Sequence, residues 1–147
     1  MIFRKSLIQI ALKEYGVKEW PGRSHNTRIL QYMKESGFDF IDDETSWCSI
    51  FVNWRAKKAG LKYSGKPTAR SWLDVGIDIL EKDVQMGDIV IFWRDSPESW
   101  KGHVGIYIST DNEFIYVLGG NQNNMVCILP YTKLRVIGYR RLTTKII

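Results

Sequence analysis

The spacing of apolar residues changes half-way along the chain, and this change limits the folds that the sequence can adopt. In the first half, apolar residues recur at helical spacing, as Ile29, Leu30 and Met33 do. In the second half, short apolar runs alternate with turn residues, which is typical of strands. The predicted helices cover 6–15, 26–36 and 48–59, and the predicted strands cover 88–93, 103–109, 114–118, 125–129 and 136–141. Helices followed by strands predict an α+β fold in which an antiparallel sheet packs against N-terminal helices.

The size and composition of the chain predict one globular domain over 1–147. With 147 residues, 44% of them apolar and 25% charged, it can bury a core without crosslinks. Two cysteines do not make a disulfide framework, so we expect synthesis in a reducing compartment. The start of the sequence lacks the pattern of a signal peptide, and no run reaches transmembrane length. We expect a monomer made in the cytoplasm, which another system delivers if it acts outside.

The net charge of +5 and the isoelectric point near 9.2 suggest an anionic partner. The basic residues are spread along the chain, and only Lys57-Lys58 and Arg140-Arg141 are adjacent. This pattern differs from the basic stripe of a nucleic-acid-binding protein, so no nucleic-acid partner is predicted.

Cys48 stands at the start of a predicted helix. Thr45 or Ser46 is expected to cap this helix, which puts Cys48 in its first turn. Unpaired backbone N–H groups and the positive end of the helix dipole favour a thiolate there, the form that attacks carbonyls. Taken alone, the stretch is more typical of a small buried cysteine that only packs, as most lone cysteines do.

A second candidate for chemistry is His103, one of two histidines in the chain. It opens a predicted strand and lies between Gly102 and Gly105, which leave the ring accessible. A cysteine nucleophile needs a base, and histidine is the usual one because its pKa lies near neutrality. Cys48 and His103 would have to meet where helix and sheet join. The cysteines and histidines match no zinc-ligand spacing, so no metal is predicted.

The hairpin after His103 predicts a third member of this site. If Asp111-Asn112 forms the turn, a two-residue loop places residue 120 opposite His103, and a three-residue loop places residue 121 there. In either register Asn121 or Gln122 lies beside the imidazole, where an amide can orient the ring as the third members of triads do. A glycine bulge at 119–120 would change the choice between the two amides.

Several motifs occur together in an order that is specific. Trp47-Cys48-Ser49 opens a helix, and Gly102-His103-Val104-Gly105 opens a strand. The full set covers 26–30, 47–54, 69–72, 87–93, 102–107, 118–122 and 137–140. Over about 11–140 the chain resembles the CHAP branch of the NlpC-type, papain-related peptidoglycan hydrolases, in particular the short endolysin-like and bacterial cell-wall amidase members. For the fold, the resemblance implies a papain-like core.

For the site, the resemblance implies a nucleophile at Cys48, a base at His103 and an orienting residue at Asn121. It implies hydrolysis of an amide or peptide bond of peptidoglycan through an acyl-enzyme, with no cofactor, in the periplasm or cell wall after export, injection or lysis. Many relatives have an acidic residue within 118–121, where this chain has glycine. The predicted substrate contacts are Trp47, Trp72, Trp100 and Gln122, with Trp20 and Trp93 as further candidates.

Three other interpretations share parts of this pattern. One is an antibacterial effector with the same chemistry, which an immunity protein would neutralise. Another is a papain-like protease or acyltransferase that acts on proteins. The third is a wall-binding module with an inactive site, which the presence of Cys48, His103 and Asn121 argues against. The acidic segment Asp42–Glu44 lacks the alternating ligand pattern of a calcium loop, so calcium is not predicted there.

Overall fold

The computed structural model describes residues 9–18, 27–38, 47–122 and 125–144. Within them, helix α1 spans Thr27–Glu35 and helix α2 spans Cys48–Lys58. The strands are β1 Ile77–Asp78, β2 Ile89–Trp93, β3 Gly102–Thr110, β4 Phe114–Gln122, β5 Met125–Thr132 and β6 Val136–Arg141. Short 3-10 helices cover Ala69–Asp74, Glu81–Asp83 and Lys133–Arg135. The predicted α+β fold is confirmed.

Helix α1 packs through the face that its sequence predicts, with Ile29 and Met33 buried. A helical segment at 9–12 precedes α1, and Glu14 in the turn after this segment forms an ion pair with Arg28 of α1. The chain turns directly after this segment, so the first helix ends earlier than predicted. In the part of the chain that the structure describes, no helix has the length and apolar composition needed to cross a membrane.

Helix α2 begins at Cys48, as the sequence predicted. Trp47 is its N-cap residue and is fully buried, which makes Cys48 the first residue of the helix. The predicted capping residues, Thr45 and Ser46, lie outside the described ranges. The side chain of Trp47 makes no capping hydrogen bond; its indole packs in the core, where it contacts the ring of Phe51 edge-on at 6.5 Å between centroids.

The strands form one six-stranded sheet in the order β1-β6-β2-β3-β4-β5, and all neighbouring strands are antiparallel. Helix α2 packs on β3 and β4, and α1 packs on α2. Strand β2 is buried on both faces: Ile89 and Ile91 join the core under the helices, whereas Val90 and Phe92 join a second apolar cluster. This double burial explains its continuous apolar run. Strand β1 was not predicted because both its residues are exposed.

The β3–β4 hairpin differs from both predicted loops. Thr110 pairs with Ile115, so four residues separate the first paired positions of the hairpin, rather than the two or three predicted. The carboxylate of Asp111 closes it by accepting two backbone N–H groups, at 2.9 and 2.8 Å. A one-residue bulge then shifts the register, so that Ile106 pairs with Leu118. The bulge restores the register that a three-residue loop would have produced.

Strands β4 and β5 are longer than predicted. Strand β4 continues through Gly119 and Gly120. The sheet there lies so close to α2 that a Cβ on Gly120 would be 2.7 Å from a helix side chain, so glycine is needed at this position. A second bulge follows between Gly119 and Gln122, where Asn121 has a φ of +56°. Strand β5 continues through Pro130 because it is an edge strand, which tolerates the missing N–H.

Candidate active site

Cys48 lies where α2 meets the sheet, with 4% of its surface exposed. Burial alone would raise the pKa of its thiol, but a hydrogen bond to His103, the positive charge of that imidazole, and the backbone N–H groups of Val104 and Ser49 outweigh it. The pKa of Cys48 is therefore lowered from its usual value, which favours the reactive thiolate. The structure thus brings Cys48 and His103 together, as the sequence predicted for a nucleophile and its base.

The imidazole of His103 is held by aromatic rings and by two polar groups at its edge. The ring of Tyr131 stacks on it, with centroids 5.0 Å apart and planes 18° from parallel, and Phe92 lies at 6.4 Å. Nε2 of His103 is 2.8 Å from Oε1 of Gln122 and 3.2 Å from the hydroxyl of Tyr131. With 8% of its surface exposed, His103 has little freedom to rotate.

The amide of Gln122 determines which nitrogen of His103 carries the proton. Its Nε2 donates to the backbone carbonyls of Val117 (3.0 Å) and Cys127 (2.7 Å), which uses both amide hydrogens. Oε1 of Gln122 then faces His103, and because an oxygen without hydrogen only accepts, Nε2 of His103 is the protonated nitrogen. Nδ1 is left for Cys48: it accepts from the thiol when the pair is neutral and donates to the thiolate when the imidazole is charged.

Two glycines leave the space that Gln122 occupies. A Cβ on Gly119 would lie 2.5 Å from Oε1 of Gln122 and 3.5 Å from Nε2 of His103. Gly105 lies close to the same amide, since a Cβ there would be 2.3 Å from the side chain of Val117 and 3.6 Å from Oε1 of Gln122. The missing side chain at Gly119 therefore gives Gln122 room to reach the imidazole.

Asn121 was the predicted orienting residue, but the hydrogen bond to His103 is made by its neighbour Gln122. The bulge in β4 is the reason, because the left-handed φ of Asn121 adds one residue and turns Gln122 towards His103. Since Gln122 is only 1% exposed, the structure does not support the substrate contact predicted for it. Asn121 instead lines a cavity beside His103.

This cavity has a volume of about 300 Å³, which suits part of a small ligand. Its lining residues are Phe92, Trp93, Arg94, His103, Asn121, Tyr131 and Arg135. The guanidinium of Arg135 lies 4.8 Å above the ring of Trp93. The cavity therefore combines the edge of the candidate base with aromatic walls and two positive charges.

The predicted aromatic wall is available only in part. Trp47 and Trp72 are fully buried, so neither can contact a substrate, and both predicted contacts are corrected to core positions. Nε1 of Trp72 donates to Oγ of Ser49 (2.9 Å), which ties a 3-10 turn to α2. Trp100 is 71% exposed in the loop between β2 and β3, and its substrate contact stays a prediction. Trp20 lies outside the described residues.

Three residues beside His103 were not found from the sequence, namely Tyr131, Arg94 and Arg135. Tyr131 pairs with Ile115 in the sheet, and its ring stacks on that of His103. No local sequence pattern reports a contact between such distant residues. The predicted strand ended at residue 129. A prediction that extended it past Pro130 would have placed Tyr131 on a strand of the sheet.

Cys127, the second cysteine, has a supporting position. Burial raises the pKa of its thiol, and its Sγ donates to the backbone carbonyl of Gln122 at 3.2 Å. A buried thiol with a raised pKa is a poor nucleophile, so Cys127 does not compete with Cys48. Among the described residues, no group of three or more His, Cys, Asp or Glu side chains could hold a metal ion. The acidic segment at 42–44 lies outside those residues.

A family comparison identifies the domain that contains the thiol of Cys48 and the imidazole of His103. The sequence model of the CHAP domain matches residues 40–121, more than half of the chain. The chain belongs to the CHAP domain family. Cys48 and His103 both lie within the matched part of this CHAP domain, whereas Gln122 follows it directly. Members of the family are usually cysteine peptidases or amidases that act on peptidoglycan.

Solved structures show the same fold as this CHAP domain. An NlpC/P60 family protein from Bacillus cereus is 22% identical, with a TM-score of 0.61 over 94% of this chain and 39% of that one. A lipoprotein-like NLP/P60 family protein from Staphylococcus aureus is 22% identical, with a TM-score of 0.58 over 95% and 41%. This chain therefore spans about two-fifths of the length of these two proteins.

A third structure of similar fold belongs to a protein described as lacking catalysis. RipD from Mycobacterium tuberculosis, a non-catalytic NlpC/p60 domain protein adapted to peptidoglycan binding, is 18% identical, with a TM-score of 0.53 over 99% of this chain and 98% of that one. None of the curated proteins compared has a matching sequence. Family and fold are thus those of peptidoglycan-related hydrolases, which is a coarser statement than a particular reaction.

Proposed function

We propose that this CHAP domain hydrolyses an amide or peptide bond of peptidoglycan through a thioester on Cys48. The observation that carries the proposal is the contact between the thiol of Cys48 and an imidazole whose proton is placed by Gln122. A cysteine that only packs needs neither a lowered pKa nor a base of fixed tautomer. We propose the cell wall as the place of action.

The reaction divides into two acyl-transfer steps. In the first, Nδ1 of His103 takes the proton of the Cys48 thiol, and the thiolate attacks the carbonyl carbon of the amide. The C–N bond breaks as His103 gives this proton to the departing amine, which leaves a thioester. In the second, His103 takes a proton from water, and the hydroxide attacks the thioester. The C–S bond breaks, so that the acid product leaves and the proton on His103 returns to Cys48.

The start of α2 supplies donors for the negative charge that develops on the carbonyl oxygen. The first backbone N–H groups of a helix have no partner within it, and Cys48 is the first residue of α2. Donors that are already in place stabilise the tetrahedral intermediate without reorganisation. Gln122 and Tyr131 are positioning residues: they hold the ring of His103 and do not themselves contact the reacting atoms.

Binding of peptidoglycan without hydrolysis is the second candidate function, because RipD has this fold and is described as non-catalytic. The contact between Cys48 and His103 supports hydrolysis over binding alone. An antibacterial effector with an immunity protein, or an enzyme that acts on proteins, would use the same residues on another target.

Incubation of the protein with purified cell wall and, separately, with casein tests the proposal. We expect release of wall fragments, whose new amino and carboxyl ends identify the cleaved bond by mass spectrometry. Cys48→Ser should abolish release while the fold is retained, because a serine hydroxyl is not ionised by the same surroundings. Cys127→Ser is the matched control and should retain release. Wall binding without release, digestion of casein alone, or full activity of Cys48→Ser would each overturn the proposal.

A further inference from the structure

Two arginines beside His103 carry charge that no carboxylate of the described residues neutralises. Arg94 and Arg135 line the cavity and are exposed. The acid next to Arg94 in sequence, Asp95, is instead paired with Lys101 at 3.2 Å. Arg135 lies over the ring of Trp93, which holds the guanidinium in place and leaves its charge unneutralised. The cavity is therefore positively charged and open to an anion.

We propose that this cavity binds a carboxylate of the substrate, so that Arg94 and Arg135 determine specificity. The inference rests on the proposed hydrolysis and names the group that the site recognises. Guanidinium groups bind carboxylates through paired, charge-assisted N–H donors, and their fixed planar shape gives directional selectivity. A volume of about 300 Å³ admits the side chain or terminus of one residue, which is the scale of a single carboxylate-bearing unit.

The position of the cavity indicates which part of the substrate carries this carboxylate. Among the described residues, its lining includes His103 but not Cys48. In the proposed reaction the acyl part becomes attached to Cys48, whereas the departing amine receives its proton from His103. A group held against His103 therefore belongs to the departing amine. The preferred substrate carries its carboxylate on the residue that supplies the scissile nitrogen or on the residue after it.

Paired peptide substrates test this inference. The two peptides are identical except that the departing fragment carries either a carboxylate or the corresponding carboxamide. We expect kcat/KM to favour the carboxylate by about tenfold or more, the effect of one charge-assisted hydrogen bond. Arg94→Gln and Arg135→Gln should each reduce that preference, and the double variant should remove it. Lys82→Gln removes one positive charge from an exposed turn outside the cavity lining and should keep the preference.

Binding of the amine product to the Cys48→Ser protein, measured by calorimetry, separates this inference from the proposed hydrolysis. If the carboxylate product binds about tenfold more tightly than its carboxamide, the inference stands even where no bond is cut, and only the hydrolysis fails. Equal turnover and equal binding of the two forms would overturn the inference and leave hydrolysis standing. A preference for a carboxylate on the acyl fragment alone would also overturn it.

Discussion

At the scale of single residues, Gln122 links the sheet to the proposed chemistry. Its amide hydrogens are bound by two backbone carbonyls, so its oxygen can only accept the proton of Nε2 of His103. An amide is a weaker partner than the carboxylate of many triads, and the stacked ring of Tyr131 adds support on the face of the imidazole. The tautomer of His103 therefore depends on one side chain that does not itself touch a substrate.

We predict that Gln122→Ala lowers kcat by roughly ten- to hundredfold with little change in KM. Loss of an orienting carboxylate costs up to about four orders of magnitude in other triads, and an amide should contribute less. Steady-state kinetics with a soluble wall peptide give the two constants. Asn121→Ala is the matched control, and we expect it to affect KM more than kcat because Asn121 lines the cavity. The reverse pattern would return the orienting role to Asn121.

The two thiols should differ in their reaction with iodoacetamide. The pKa of Cys48 is lowered and that of Cys127 is raised, so Cys48 keeps more of its reactive thiolate as the pH falls below neutrality. At pH 6 we expect Cys48 to be alkylated and Cys127 to remain unmodified in the folded protein, as peptide mass spectrometry would show. Labelling of Cys127 first, or of both at one rate, would contradict the assigned roles.

At the scale of elements, adjacent glycines in β4 have different functions. Gly120 allows α2 to approach the sheet, since a Cβ there would lie 2.7 Å from both Phe51 and Trp47. Gly119 provides the space for the amide of Gln122. The absence of side chains at these two positions thus allows α2, which carries Cys48, to pack closely on β4, which carries Gln122.

We predict that Gly119→Ala and Gly120→Ala affect different properties. Gly120→Ala should lower the free energy of unfolding by about 1–3 kcal/mol, the usual cost of overpacking a core. Gly119→Ala should displace the flexible side chain of Gln122, so that kcat falls roughly ten- to hundredfold with a smaller loss of stability. Urea denaturation and turnover, measured on both variants, test this contrast. Equal stability losses with equal activity would refute it.

The sequence predicted most helices and strands, but it did not predict the bulges within the strands. Apolar periodicity located β2 and β6, and it placed Cys48 and His103 at the ends of a helix and a strand. It did not reveal the bulge that turns Gln122 rather than Asn121 to the imidazole, because a bulge depends on pairing between distant strands. The tryptophans Trp47 and Trp72 were misassigned for a related reason, since burial is a property of the packed layers rather than of the residue type.

At the scale of the whole molecule, the core contains a buried guanidinium to which no described residue gives a hydrogen bond or an ion pair. Arg55 on α2 is fully buried, and its three guanidinium nitrogens have no hydrogen-bond partner within the described chain. The guanidinium lies 4.4 Å above the ring of Phe51, and burial lowers its pKa to about 9. An unfolded arginine stays protonated to higher pH, so this penalty on folding is fully present below pH 9 and declines only above it.

We predict that Arg55→Met raises the free energy of unfolding by about 1–2 kcal/mol at neutral pH, because methionine fills similar space without a charge to desolvate. Arg70→Met is the control and should have the opposite effect. The guanidinium of Arg70 donates to the backbone carbonyls of Lys101, Pro97 and Ser96, and the substitution leaves them without these donors. Destabilisation of Arg55→Met by as much as Arg70→Met would refute the prediction.

The space beside His103 holds one side chain at a time, because the amide of Gln122 fills the position of a Cβ on Gly119. A side chain at position 119 and the amide of Gln122 would therefore compete for the same side of the imidazole. A homologue with a larger residue at 119 should lack a long amide at 122, because the two cannot stand there together.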